Sequence, residues 1–232
     1  MFHIYMKINF KNKNILITGG SRGIGKELVN TFTDLEGNVT YTSTKNLNFN
    51  NESSVNTFLN KIKNTTFDIC INNAGINTNN NFCDIKDEDW NSIINVNLTG
   101  CYKICKAVSR NMINKRFGKI VNISSIWGNV SKQGRAAYSA SKFGVKGLTL
   151  GMASELAQYN ILVNSVSPGI TMTELTEKTL GIEGMNKIKK EIPLNRLATT
   201  KDIANAIIFL CSDLNTYISG QDLIVDGGFC TT

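Results

Sequence analysis

The sequence predicts an α/β fold: a doubly wound, Rossmann-type parallel sheet between two helical layers, αβα. Three observations carry that expectation. Short apolar runs of strand length alternate with amphipathic helical stretches from end to end. The first run, Ile15-Leu16-Ile17-Thr18, breaks into Thr18-Gly19-Gly20-Ser21-Arg22-Gly23-Ile24-Gly25, a glycine-rich turn that opens onto a helical pattern. The length, 232 residues, suits one α/β domain that buries roughly 70% of its unfolded surface. With no linker or repeat, residues 1–232 read as one domain.

The elements follow in order. After the first strand a helix is expected from Ile24 to Asp34, then a second strand over Val39–Ser43. Val55, Phe58, Leu59 and Ile62 fall on one face of a helix over Ser53–Lys63, which leads into the strand Phe67–Ile71. Glu88–Arg116 reads as a long helical stretch broken near Thr99-Gly100. Lys119–Ser124 is a strand, Tyr138–Tyr159 a long helix with small residues on one face, and Ile161–Val166 a further strand. Helix Asp202–Ser212 and strand Leu223–Val225 close the pattern.

One segment departs from it. Only Thr44-Lys45-Asn46 separate strand two from Leu47-Asn48-Phe49, which otherwise resembles a third strand. Parallel neighbours need a crossover of about a dozen residues, and three residues span only about 10 Å. Strand three is therefore expected to be absent or rudimentary, leaving a stunted edge.

Composition narrows the function. With 41% hydrophobic and 19% charged residues and 2 prolines, the chain is neither disordered nor a coiled coil. No apolar run approaches the roughly 18 residues of a membrane span. Met1 to Lys13 lacks the features of a secretory signal, so a cytoplasmic location is expected. The net charge is +7, but no basic block forms, which argues against nucleic acid and for a mild attraction of anionic substrates or carriers. Six cysteines include no C-x-x-C pair, and the only histidine is His3. No metal site is expected, no histidine triad can form, and Cys101 and Cys105 read as packing residues.

Acid–base chemistry must then use other groups. The glycines of Thr18–Gly25 let backbone N–H groups and a helix N-terminus approach a pyrophosphate. Tyr138 and Lys142 stand at i, i+4 on one helix face, where an ammonium stabilises a phenolate and makes Tyr138 a candidate proton donor. Ser125 follows a strand at the carboxyl edge, where ligands of open α/β sheets bind, and its hydroxyl can bond the same carbonyl. Asn97 falls inside the helical stretch Trp90–Leu98, an unfavourable place for asparagine that hints at a polar duty. Asn72-Asn73-Ala74-Gly75 closes another strand at that edge, with small residues that permit close approach of a cofactor.

Together these residues resemble the short-chain dehydrogenase/reductase family, over Asn14 to Gly228. The family's glycine-rich turn corresponds to Gly19, Gly23 and Gly25, its N-N-A-G to Asn72 to Gly75, and its catalytic asparagine, serine and Y-x-x-x-K to Asn97, Ser125, Tyr138 and Lys142. Pro168-Gly169 with Thr171 and Thr173 resembles its nicotinamide-side contacts. The resemblance implies hydride transfer at a nicotinamide cofactor, with Tyr138 moving the hydroxyl proton, Ser125 orienting the carbonyl and Lys142 supporting the tyrosine and the ribose hydroxyls. Asn97 is implied to position a water that relays protons. Cofactor contacts are implied for Gly19, Ser21, Arg22, Gly23, Ile24, Gly25, Ser43, Thr44, Asn48, Asn73, Ala74, Gly75, Tyr138, Lys142, Pro168, Gly169, Thr171 and Thr173. The ending Tyr217–Gly220 with Val225–Gly228 is similar to that of tetrameric members, so a homo-oligomer is expected, tetramer or dimer.

Charge favours NADP(H), with NAD(H) as the alternative. NAD enzymes usually carry an acid at the end of strand two, whereas Thr42-Ser43-Thr44-Lys45 holds none and Arg22 lies in the glycine loop. The substrate is expected to be a small-molecule or carrier-linked carbonyl. The resemblance extends to 3-oxoacyl-[acyl-carrier-protein] reductases through Leu47-Asn48-Phe49 and Lys115–Lys119, where Arg116 could meet an acidic carrier. The alternative is a sugar or polyol, because Trp127, Gln133 and Arg135 beside Ser125 and Tyr138 suit a polar substrate. A non-catalytic sensor on this fold would typically have lost the tyrosine or the lysine; both are intact.

Overall fold

The computed structural model describes residues 8–231; His3 lies outside the described residues. Six parallel strands form one sheet in the order β2-β1-β3-β4-β5-β6. They are β1 (Asn14–Thr18), β2 (Asn38–Tyr41), β3 (Ile69–Asn72), β4 (Gly118–Ile123), β5 (Ile161–Pro168) and β6 (Asp222–Val225). The helices are α1 (Gly23–Asp34), α2 (Glu52–Ile62), α3 (Asp87–Ile94), α4 (Gly100–Lys115), α5 (Ala136–Leu156), α6 (Glu174–Lys189) and α7 (Thr200–Cys211).

The pleat sorts the strand residues between two helical layers. Ile15 and Ile17 of β1 and Ile69 and Ile71 of β3 face one layer, against Leu28 and Phe32 of α1 and Ile203 and Ile207 of α7. Leu16, Cys70, Ile120 and Val163 face the other, against Phe58 of α2, Ile104 and Val108 of α4 and Ala153 of α5. Register carries these faces across the sheet: Leu16 pairs with Cys70, Cys70 with Ile120, and Ile120 with Val163. Both strand faces are covered, which is why the central runs read as continuous apolar segments. Cys101 and Cys105 lie in the second layer's core, as expected of packing residues. Burial pushes the Cys211 thiol up to about 12.

Leu47–Phe49 forms no strand, and β2 is an edge of the sheet. The carbonyl of Ser43 accepts from the N–H groups of Asn46 and Leu47, closing a turn. Leu47 then buries itself in the α2 and α4 layer, and Asn51 caps α2, its side chain accepting from the Ser54 N–H at 2.8 Å.

Two expectations need correction. The stretch Glu88–Arg116 does not break at Thr99-Gly100; it runs on through a π-helical turn, Asn95–Thr99, into α4. Gly100 serves close packing instead, since a Cβ there would stand 2.5 Å from the Phe49 ring. Helix α6 was not expected at all. Arg116 precedes β4 at the amino end of the sheet and donates from Nη2 to the Gln158 carbonyl at 2.9 Å, away from the carboxyl edge.

Candidate active site

The carboxyl ends of β1, β3, β4 and β5 open onto a cleft of about 580 Å³. At one end lies the glycine turn. Gly19 has φ +68°, and a Cβ there would meet the Ala74 Cα at 2.9 Å; a Cβ on Gly25 would stand 2.1 Å from the Gly19 carbonyl oxygen. Side chains are excluded at these glycines, so their backbone can be approached closely. Arg22 is the N-cap of α1 and gives no side-chain cap, and the first turn holds no acid. The positive end of the helix dipole is thus left for an anion.

Two threonines hold the turn. Thr42, just past β2, accepts from the Gly19 N–H through Oγ1 at 3.2 Å and from the Gly20 N–H through its carbonyl at 2.8 Å. Thr18 Oγ1, at the end of β1, accepts the N–H groups of Asn73 and Ala74, both at 3.1 Å. Asn73 returns the tie, donating to the carbonyls of Thr18 and Gly19 at 3.1 and 2.9 Å. Ser43, Thr44 and Asn48 line the same end, and no carboxylate stands among residues 42–48.

At the other end, β4 delivers Ser125. Its Oγ accepts from the Trp127 N–H at 3.2 Å, capping a single 3₁₀ turn, Ile126–Gly128. Helix α5 lies across this edge and supplies Tyr138, half-buried, and Lys142, buried. Lys142 Nζ donates to the Ile123 carbonyl at 2.7 Å and stands 5.6 Å from the centroid of the Tyr138 ring. An ammonium has three donors; no other hydrogen bond to it occurs among the described residues. Ser125, Tyr138 and Lys142 therefore meet at one place in the cleft.

Asn97 stands apart in role. It sits in the π-helical turn, a feature frequent at functional sites. Both ends of its amide are bonded: Oδ1 accepts the Ile76 N–H at 2.9 Å, and Nδ2 donates to the Ile76 carbonyl and to Ser141 Oγ, each at 3.0 Å. The side chain clamps the loop after β3 to α5.

Pro168 ends β5, and the Gly169 N–H donates to Val225 at 2.9 Å. Thr171 Oγ1 donates to the Gly169 carbonyl at 3.0 Å, and Thr173 caps α6, its Oγ1 accepting from the Thr176 N–H at 3.2 Å. All four line the cleft with Ser21, Gly23, Ile24 and Gly75. Of the expected substrate residues, Trp127 and Arg135 line it and Gln133 does not: Gln133 is exposed and donates to Asn81 Oδ1 at 3.2 Å. Gly25 shapes the turn from behind.

Sequence reasoning missed Thr42, Ile76 and Lys132, which also line the cleft. Thr42 was readable as the first residue past β2; nothing in the sequence marks Ile76. The lining holds four cations, Arg22, Lys132, Arg135 and Lys142, against one carboxylate, Glu174. Such a cleft selects anionic ligands.

A family model described as enoyl-(acyl carrier protein) reductase matches residues 24–230. The 3-oxoacyl-[acyl-carrier-protein] reductase FabG of Aquifex aeolicus is 35% identical over 247 residues, covering 96% of this chain and 99% of its own. Among solved structures, ElxO with NADP bound shares 33% identity at a TM-score of 0.85, covering 95% of this chain and 99% of its own. A gluconate 5-dehydrogenase from Burkholderia cenocepacia, in complex with NADP and tartrate, shares 27% identity at a TM-score of 0.86, covering 97% of each chain.

Replacing Thr18 by Val leaves two part-buried N–H groups, of Asn73 and Ala74, without their acceptor. The expected loss is about 1–3 kcal/mol of stability, read from urea unfolding of Thr18→Val against wild type; an unchanged midpoint would contradict this role for the hydroxyl.

Proposed function

The chain belongs to the short-chain dehydrogenase/reductase family, and from that premise we propose that it is an NADP(H)-dependent oxidoreductase that interconverts a ketone and a secondary alcohol. The observation that carries the reading is the meeting of Ser125, Tyr138 and Lys142 at one end of a cleft whose other end is the glycine turn.

The residues fit the cofactor. The uncapped N-terminus of α1 and the glycine cradle suit a pyrophosphate. Arg22, Ser43 and Thr44, with no carboxylate beside them, suit a 2′-phosphate rather than a bare ribose hydroxyl. Bound, the nicotinamide supplies or accepts the hydride. Lys142 then has two donors left for the ribose hydroxyls and for the charge on the Tyr138 oxygen. Tyr138 gives its proton to the carbonyl oxygen during reduction and recovers it during oxidation. Ser125 bonds the same oxygen and stabilises the charge that develops on it. Asn97 is a positioning residue, since it holds the Ile76 loop and Ser141 in place around the lysine.

Two substrate classes have support. The identity to curated 3-oxoacyl-[acyl-carrier-protein] reductases favours a carrier-linked 3-oxoacyl thioester. The polar, cationic rim around Trp127 favours a sugar or polyol. All six cysteines are free, which suits a reducing, cytoplasmic setting; among the described residues no helix is long and apolar enough to cross a membrane. A homo-oligomer is supported by one face of α5, where Phe143 and Leu150 are exposed and Gly147 and Gly151 have open space above them. Sedimentation should find dimers or tetramers, and a monomer at micromolar concentration would contradict this.

Tyr138→Phe should lower turnover by 10²- to 10⁴-fold, the usual worth of general acid catalysis, with NADPH binding intact. Retention of more than about a tenth of the rate would remove Tyr138 from the reaction. NADPH should be used in preference to NADH, and Arg22→Ala should cost about 1.5–3 kcal/mol of NADPH affinity, roughly tenfold to a hundredfold. Equal use of both cofactors by the wild-type enzyme would refute that selectivity.

A further inference from the structure

We propose that the substrate carries an anionic group, a carboxylate or a phosphate, within a few bonds of the reacting carbon, and that Lys132 and Arg135, both over the Trp127 ring, grip it. This rests on the reading of Tyr138 as the proton donor and narrows the substrate of that same site.

Trp127 is a fixed platform, buried and held edge-on by Phe229 with ring centroids 5.9 Å apart. Over its ring stand two cations, Lys132 Nζ at 5.2 Å and Arg135 Cζ at 5.6 Å from the centroid, and both side chains line the cleft. Neither forms an ion pair among the described residues. The same fold pairs other cations readily: Lys115 with Asp68, Lys146 with Asp222, and Arg196 with Asp202. Glu174, the one carboxylate in the lining, takes part in none of these pairs. Lys132 is exposed, so the cost of leaving water falls on Arg135, and an indole face offsets only part of it.

Arg135 is the half-buried member. Burial moves its guanidinium below its ordinary value, and the neighbouring Tyr138 acts in the opposite direction. A partly desolvated guanidinium with its planar fork unspent is a ready seat for a carboxylate or phosphate, which it can bond twice. Its place sets the distance to the chemistry. Arg135 is the N-cap of α5, and Tyr138 follows three residues later on the same helix. An anion held there is next to the carbon whose oxygen Tyr138 protonates. The group beside the ketone of a 3-oxoacyl thioester is neutral and would leave both cations unused. A keto acid, a sugar acid or a phosphorylated ketose would use them.

The test compares charged and neutral ligands of matched shape on the enzyme saturated with NADP⁺. Calorimetric titrations use gluconate against glucitol, and glucose 6-phosphate against glucose; the pair that discriminates identifies carboxylate or phosphate. At least one anion should bind about tenfold tighter than its neutral partner. The double variant Lys132→Gln, Arg135→Gln should erase that difference, with NADPH affinity as the check on folding. Equal affinity within both pairs, no binding of either anion, or selectivity that survives in the double variant would overturn the proposal. Failure of the Tyr138 reading looks different: anion selectivity would persist while Tyr138→Phe turned over at the wild-type rate.

Discussion

One buried ammonium fixes the reacting end of the molecule. Lys142 is almost wholly removed from water, and its Nζ reaches the carbonyl of Ile123, the last residue of β4, at 2.7 Å. Ser124 completes the tie by donating from Oγ to the Lys142 carbonyl at 3.1 Å. A charge in such a place is tolerable only while it is hydrogen-bonded. The bond therefore does two things. It pins α5 against the end of the central strand, and it brings Tyr138 and Ser125, each within a turn of one of the joined residues, to the same cleft.

The rest of the cleft is positioned against that end by parallel pairing. β1, β3 and β4 finish at the same edge, and Thr18 with Asn73 locks the first two together beneath the glycine turn. On the far side, Thr42 ties the glycine turn to the end of β2. With no strand beyond β2, the chain turns at Ser43 and drops directly into α2, its Phe49 seated against Gly100. In the proposed reading, affinity for a nucleotide would rest on the pyrophosphate turn and the nicotinamide half, with Arg22 and the hydroxyls of Ser43 and Thr44 selecting at the open side.

Much of this was legible in the sequence, for a physical reason. Strand runs, helical faces and the i, i+4 spacing of Tyr138 and Lys142 are local patterns, and local patterns fix local geometry. The missing third strand was also local, a matter of three residues and their reach. What could not be read depends on contacts distant in sequence. The apolar residues of α6 do not collect on one stripe, and Gly181 has non-helical φ and ψ inside it, so periodicity gives no signal there. Gly100 looked like a helix break because its partner, Phe49, lies far back in the chain. Asn97 carried a correct hint of polar duty, yet the duty is shared with Ile76 and Ser141, and no spacing rule names them. Gln133 and Lys132 are neighbours in a loop; which of them faces the cleft is decided by tertiary packing alone.

The central claim is that the ends of one parallel sheet hold a nicotinamide nucleotide with its reactive half beside Lys142. A crystal structure of the NADPH complex tests it most directly. The account predicts the pyrophosphate at the N-terminus of α1, the 2′-phosphate by Arg22, and the nicotinamide ribose hydroxyls on Lys142 Nζ with the Ile123 bond retained. A nucleotide bound in the reverse sense, with its adenosine beside Ser125 and Tyr138, or bound with Lys142 turned away from the ribose, would contradict it.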